Sequence, residues 1–499
     1  MKKKWILAID QGTTGTTALL FDLQMRLISR GYCAVTSVYP GPERVEQDGM
    51  ELLASVRSAT ADALRLGGAA PGEVLCVGLD NQGETCLAWR RDTGRPISPA
   101  IVWQDRRTAA QCEALRANAR IREVTNLVPD AYFSASKLGW IFANVEGARA
   151  GAQAGNILAG TTDAWLIWKL TGGAVHKTEF STASRTMLLN LKQRAWDPEL
   201  CALFGVPVAA LPEICDSACV FGMTQPDMLC GICAPITGAA VDQQAALFGQ
   251  GCLAPGGIKT TYGTGCFMLM NTGASPARAC EGLVSTVAWG LDGALTYALD
   301  AGIYIAGAAL KWMRDKLGIL SDYAQSEALA REAGSTGGVV FVPAFVGLAA
   351  PHWDSSARGL IIGITGATER GHIVRAAFEG IACQVCENLA VMRRAYGAEV
   401  ECMRVDGGMV QNAFFMQLQA DLLGIPVEVP AVSETTALGA AALAALGAGL
   451  FTRAEEAAGT PAIACRYEPR MCADERESAL FRWRQAVERS RGWETCARG

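Results

Sequence analysis

The chain has 499 residues, 50% of them hydrophobic, which is more than one core usually sustains, so two domains are expected. A net charge of −5, with charged residues mixed along the chain, leaves no electrostatic footprint for nucleic acid or an anionic membrane and points to a small partner. Eighteen cysteines without an export signal read as reduced thiols of a cytoplasmic protein, and three unclustered histidines disfavour histidine-based nucleophilic catalysis or a histidine metal site.

The start, "MKKKWILAID", has an apolar stretch shorter than the roughly 7–15 residues of a signal-peptide core, and it reads as a first strand. A Gly/Thr turn leads into a second strand, "TTALLFD", followed by an extended segment at "GYCAVTSV" and a helix over "DGMELLASVRSATADALRL". Further strands are expected at "EVLCVGLDNQ" and "TCLAWRR", and "PITGAAVDQQAALFGQ", 235–250, reads as a strand, an acid and an apolar helix. Near 250 the pattern restarts. "GGIKTTYGTGCFMLMNTG" is again a hairpin with a Gly/Thr turn, followed by strands at "LVSTVAWG" and "ALTYALDA", helices near 302–317 and 371–396, the strand "VECMRVDGG" and an Ala-rich helix. Two α/β lobes, 1–250 and 251–499, are therefore expected to pack around a cleft. The uncharged run at 435–452 is mostly Ala, Gly and Thr and reads as a buried helix rather than a membrane span. The CxxC pairs Cys230/Cys233 and Cys383/Cys386 lie far apart, and the second sits in a helical run, which argues against zinc.

The chemistry concentrates in the turns. In "ILAIDQGTTGTTALLFD" the backbone N–H groups of the Gly/Thr turn and its threonine hydroxyls can nest a phosphate without a cation in the turn, while Asp10 at the strand end can hold Mg2+. Taken alone, the same residues also make an ordinary hairpin. A second such turn, "TYGTGCF", and a glycine pair in "RVDGGMVQNAFF" bring three to strand ends in both lobes, the set a nucleoside triphosphate needs. Asp242 is a strand-end acid like Asp10, placed to take a proton from an acceptor or to cap the following helix.

"DQGTTGTT", "IVWQDRR", "YFSASKLGWI", "ASRTMLLNL", "DQQAALFGQ", "TYGTGCFMLMNTG" and "DGGMVQNAFFMQLQADLLGIPVEVP" resemble the FGGY carbohydrate kinase family in its glycerol kinase branch, from about residue 5 to residue 485. The resemblance implies two actin-like, ribonuclease-H-like α/β domains closing on ATP and substrate, with transfer of the γ-phosphoryl group of MgATP to a small polyol, glycerol first. It implies that Asp10 serves the magnesium ion, and that Thr13, Thr14, Gly15, Thr264, Gly307, Lys311, Gly408 and Asn412 surround the nucleotide. Gly83, Glu84, Trp103, Tyr132, Asp242, Gln243 and Phe267 would form the acceptor pocket, with Asp242 as general base. A homo-oligomer is left open.

Four departures from the family pattern stand out. Thr17 and Gly83 each occupy a position where an arginine is usual, Lys311 replaces a glutamine, and "DMLCGICAP", 227–235, lacks the loop by which some relatives bind a sugar bisphosphate, so that regulation is expected to be absent. The missing arginine at Gly83 implies vacant space beside Glu84, a weakened preference for glycerol and room for a longer polyol or ketose. A family member that binds ligands without turnover is the other alternative, favoured by Thr17 and disfavoured by the two strand-end acids.

Overall fold

The computed structural model describes residues 2–277 and 282–494. Alternation along the first strand, Trp5–Gln11, sets the layers. Leu7 and Ile9 pack with Leu52 and Val56 of the helix Gly49–Leu66, whereas Ile6 and Ala8 pack with Ala437, Ala440 and Ala441 of the helix Thr435–Gly447. The sheet is covered on both faces, which is why the run reads as continuously apolar.

This sheet has six strands in the order Ala218–Met223, Pro235–Val241, Val74–Asn81, Trp5–Gln11, Gly15–Asp22, Leu27–Ala34. Pro235–Val241, Val74–Asn81 and Trp5–Gln11 run parallel, so their carboxyl ends share one edge. A seven-stranded sheet repeats the plan. The hairpin Ile258–Tyr262/Cys266–Gly273 continues antiparallel into Ala294–Ile303, and Met403–Asp406 and Val427–Pro430 lie parallel on its other side. The duplication resides in topology, since a sheet needs apolar faces and turns at set places rather than particular residues.

The helix Thr435–Gly447 comes from the second half of the chain but lies on the first sheet. A Cβ on Gly78 would stand 2.2 Å from the Ala440 carbonyl oxygen, and one on Gly439 would stand 1.8 Å from the Ala245 carbonyl oxygen in the helix Asp242–Gly249. Small residues in this run thus serve close packing between the lobes. Among the described residues no helix is long and apolar enough to cross a membrane.

A five-stranded sheet, ordered Val38–Gly41, Arg44–Gln47, Ala100–Ile101, Cys86–Arg90, Ile157–Thr161, carries the helix Ser134–Asn144 against it and brings Trp103 and Tyr132 to the cleft. Behind the second sheet runs the helix Arg370–Tyr396, with Cys383 and Cys386 buried in the core. The final helix, Ala473–Ser490, was not foreseen from sequence; it docks Trp483 and Val487 into that same core.

Candidate active site

Three acids stand at the shared edge of the parallel strands. Asp10 pairs in register with Asp80 on the neighbouring strand, and Asp242 follows the next strand over. Val241 occupies the N-cap position, so Asp242 is the first residue of its helix rather than the cap, and its Oδ1 accepts the Gln243 N–H at 2.6 Å. Burial lifts the Asp10 carboxyl to about 6, against a hydrogen bond with the Asp80 carboxyl, with Glu434 adding to the shift and Arg30 opposing it. Burial, then the nearby Glu84 carboxylate, lifts Asp242 to about 7, against the attraction of Lys259. Asp80, which the sequence reading passed over, is pushed well up by burial and by Asp10. Its position was legible: "CVGLDNQ" ends an apolar strand in an acid just as "ILAIDQ" does.

The acceptor-side residues converge. Trp103 packs edge-on to Tyr132 and to Phe267, with ring centroids 5.7 and 6.2 Å away, so aromatic residues from both lobes meet. The Trp103 indole N–H donates to the Thr13 hydroxyl at 2.8 Å, tying this wall to the first turn. Lys137, fully buried, donates to the Tyr132 carbonyl at 2.6 Å and fixes the loop that carries the ring. Glu84 is paired through one oxygen with Arg185 at 2.7 Å, and Arg185 also meets Asp300 of the second sheet at 2.8 Å. Burial works against the Arg185 charge, and Asp300 and Glu84 overcome it, holding the guanidinium pKa above its ordinary value. Gln243 accepts from Lys259, whose ammonium also reaches the Thr261 hydroxyl at 2.9 Å.

The vacancy expected at Gly83 is absent. A Cβ there would lie 2.7 Å from Val241 Cγ1, and the cation serving Glu84 is Arg185, which arrives from 101 residues along the chain. No local signal announces that pairing. Thr17 likewise has a cation in its neighbourhood. It pairs in register with Asp10, and Arg30 of the next strand acts on Asp10 while pairing with Glu434 at 3.1 Å.

Of the three turns, the second and third come together, Gly407 lying against the Tyr262 backbone. Thr13 and Thr14 form the tip of the first hairpin, closed by Gly12 N–H to the Gly15 carbonyl at 3.0 Å, and Thr14 is exposed. The turn at Gly263–Gly265 is held by the start of the helix Gly307–Asp315: Gly307 N–H donates to the Gly263 carbonyl at 3.0 Å and Ala308 N–H to the Thr264 carbonyl at 3.1 Å. Lys311 is exposed on that helix. Gly407 and Gly408 divide their work. Gly407 has φ of +91° and presses on the Tyr262 backbone, while the space over Gly408 is open. Asn412 caps the helix Ala413–Leu423, its Oδ1 accepting the Phe415 N–H at 2.9 Å.

Oxygen donors dominate the site, and among the described residues Asp80 has no hydrogen-bond partner besides the Asp10 carboxyl. Such a set suits a hard divalent cation, and the open ground over Gly408 suits a nucleoside.

Residues 5–249 match the model of the FGGY family of carbohydrate kinases, N-terminal domain, and residues 258–448 match that of its C-terminal domain. Glycerol kinase 2 of Thermotoga maritima is 49% identical over 98% of this chain and 99% of its own. The glycerol kinase of Carboxydothermus hydrogenoformans is 47% identical over 99% of both. A crystal structure of Plasmodium falciparum glycerol kinase with ADP superposes with a TM-score of 0.91 at 33% identity, covering 98% of this chain and 99% of the other. The two family models together span most of the chain and the relatives match it along nearly its whole length, so the chain belongs to the FGGY family of carbohydrate kinases.

Proposed function

We propose that the protein phosphorylates glycerol to glycerol 3-phosphate at the expense of MgATP. The observation that carries this reading is the placement of Asp242, with its raised pKa, at a buried strand end where both Glu84, paired with Arg185, and the strand-end acid Asp10 act on it. A carboxylate with a pKa near neutrality is suited to take a hydroxyl proton and afterwards release it.

On this reading Glu84 accepts from one glycerol hydroxyl and Arg185, paired with it, keeps it aimed. Gln243 holds another hydroxyl through its amide, steadied by Lys259. Trp103, Tyr132 and Phe267 lie against the carbon chain and exclude water. Leaving a buried hydroxyl unpaired costs about 1–3 kcal/mol, so a pocket of this kind discriminates by its polar partners. Asp242 takes the proton from the attacking hydroxyl. Thr13, Thr14, Gly15 and Thr264 offer hydroxyl and backbone donors to phosphate oxygens, and Gly307, Lys311, Gly408 and Asn412 border the nucleotide. Asp10 would hold the magnesium ion, directly or through water. Bound MgATP supplies the phosphoryl group, with the metal neutralising its charge.

The lobes fall at 1–250 and 251–499, and reduced cysteines support a cytoplasmic setting. The closed space at Gly83 favours glycerol over a longer polyol or ketose. An ADP-release assay with MgATP across glycerol, four- and five-carbon polyols and pentuloses tests the reading. The highest kcat/KM is expected for glycerol; a preference for a longer acceptor, or equal background release with all of them, overturns it.

A further inference from the structure

The alternation that buries Ile6 and Ala8 under the helix Thr435–Gly447 also aims Asp10 toward that helix's N-terminal end. Cys76, Gly78 and Asp80 follow the same face on the next strand: Cys76 packs in the same cluster and Gly78 abuts Ala440. Two carboxyl groups therefore stand side by side on strands about 4.8 Å apart, beneath a helix N-terminus whose partial positive charge favours anions.

Asp80 is 0% exposed, and its carboxyl lies within hydrogen-bond reach of the Asp10 carboxyl but of no other partner among the described residues. The charges that act on it most strongly are all carboxylates, namely Asp10, Asp242 and Glu434. The nearby cation Arg30 is taken by Glu434. A different solution appears at the carboxyl end of the corresponding strand in the second sheet, where Asp406 accepts from Gln250 at 2.7 Å and from the Thr435 hydroxyl. Buried acids without such donors are costly unless paired or bound to a metal. Asp80 sits where the missing partner would be a cation.

Building on the MgATP-dependent reading above, we propose that Asp80 joins Asp10 as a second carboxylate for the divalent ion that accompanies the nucleotide, binding it directly or through one water. Mg2+ takes oxygen ligands at about 2.1 Å and commonly uses one or two carboxylates together with phosphate oxygens and water. Neighbouring strands bring two side chains to that spacing. Among the described residues no group of three or more His, Cys, Asp or Glu side chains is placed to hold an ion alone, which leaves the remaining positions to the nucleotide and solvent. Metal and nucleotide then bind as a unit, and Asp80 strengthens the metal-dependent part of nucleotide binding.

The test is calorimetric titration of ADP into the full-length protein with and without Mg2+, for the wild type, Asp80→Asn and Asp80→Ser. The wild type should bind ADP more tightly with Mg2+. Both variants should lose that gain by about ten- to a hundred-fold while metal-free ADP affinity stays the same or improves, since an anion near the phosphates is gone. An unchanged Mg2+ gain in either folded variant overturns the proposal and leaves Asp80 a protonated buried acid. Absence of ADP binding by the wild type would instead strike the functional reading itself. Should both variants fail to fold, crystals of the wild type with MnADP decide. Anomalous density within one water of both carboxylates supports the assignment, and density beyond reach of Asp80 overturns it.

Discussion

A carboxyl group raised to about 7 makes both rate and stability depend on pH. Asp242 in the unfolded chain gives up its proton near 3.8, whereas the folded chain keeps it to about 7, so the folded state binds more protons between those values. Its stabilising contribution is complete below about pH 4 and is lost as pH rises through about 7. Asp242→Asn removes this dependence, and thermal melts should show the variant gaining on the wild type as the pH is raised from about 5 to about 8. In the wild type, kcat should rise through about pH 7 as the base ionises. A flat kcat profile across that range would remove Asp242 from the proton transfer.

Gly83 gives the second residue-scale expectation. An arginine there must displace Val241 and would bring a second cation toward Arg185. Overpacking of this kind costs about 1–3 kcal/mol, so kcat/KM for glycerol in Gly83→Arg should fall by about tenfold or more. A rise would restore the idea of a vacant arginine site. The family resemblance marked an arginine as missing at this position, but the sequence could not show that Val241 stands where a side chain on Gly83 would go.

At the scale of elements, two neighbouring glycines should respond differently to the same change. Gly408→Val meets open space in the protein, so folding should survive while ATP binding, measured by calorimetry, is lost. Gly407→Val requires an L-residue at φ of +91° against the Tyr262 backbone, so its thermal midpoint should drop. Unchanged ATP affinity in Gly408→Val would make this turn purely structural. Strands and turns near the cleft were legible because their apolar runs are long and end in Gly, Thr or Asp. The short helices Ala109–Ala114, Ala119–Thr125 and Ala148–Gln153 were not, since six or seven residues display less than two turns of any periodicity. The helix Ala473–Ser490 escaped for another reason: its buried positions, including Leu480, Trp483 and Val487, are thinly spread among charges.

On the scale of the molecule, the lobes are joined by charge as well as by packing. Arg185 links Glu84, at the edge of the first lobe, to Asp300 in the second sheet, and all three are nearly buried. Removing one partner of a buried ion pair costs about 3–5 kcal/mol because the others are left uncompensated. Arg185→Met should therefore lower the urea midpoint strongly and raise the KM for glycerol, whose hydroxyl loses an oriented Glu84. A variant with wild-type stability and KM would show that the bridge serves neither purpose. Sequence alone revealed Asp10 and Asp242 through the local strand-then-acid pattern, but Arg185, Lys259 and Asp300 carry no such mark. Their roles arise only when distant segments fold onto one cleft.

The most direct measurement is mass-spectrometric identification and counting of products from MgATP and glycerol, with the wild type and Asp242→Asn side by side. Glycerol 3-phosphate and ADP should appear in equal amounts from the wild type. The variant should yield about 10²- to 10⁴-fold less of both while still binding nucleotide. ADP formed without phosphorylated glycerol, or equal product from the two proteins, would contradict phosphoryl transfer to glycerol with Asp242 as its base.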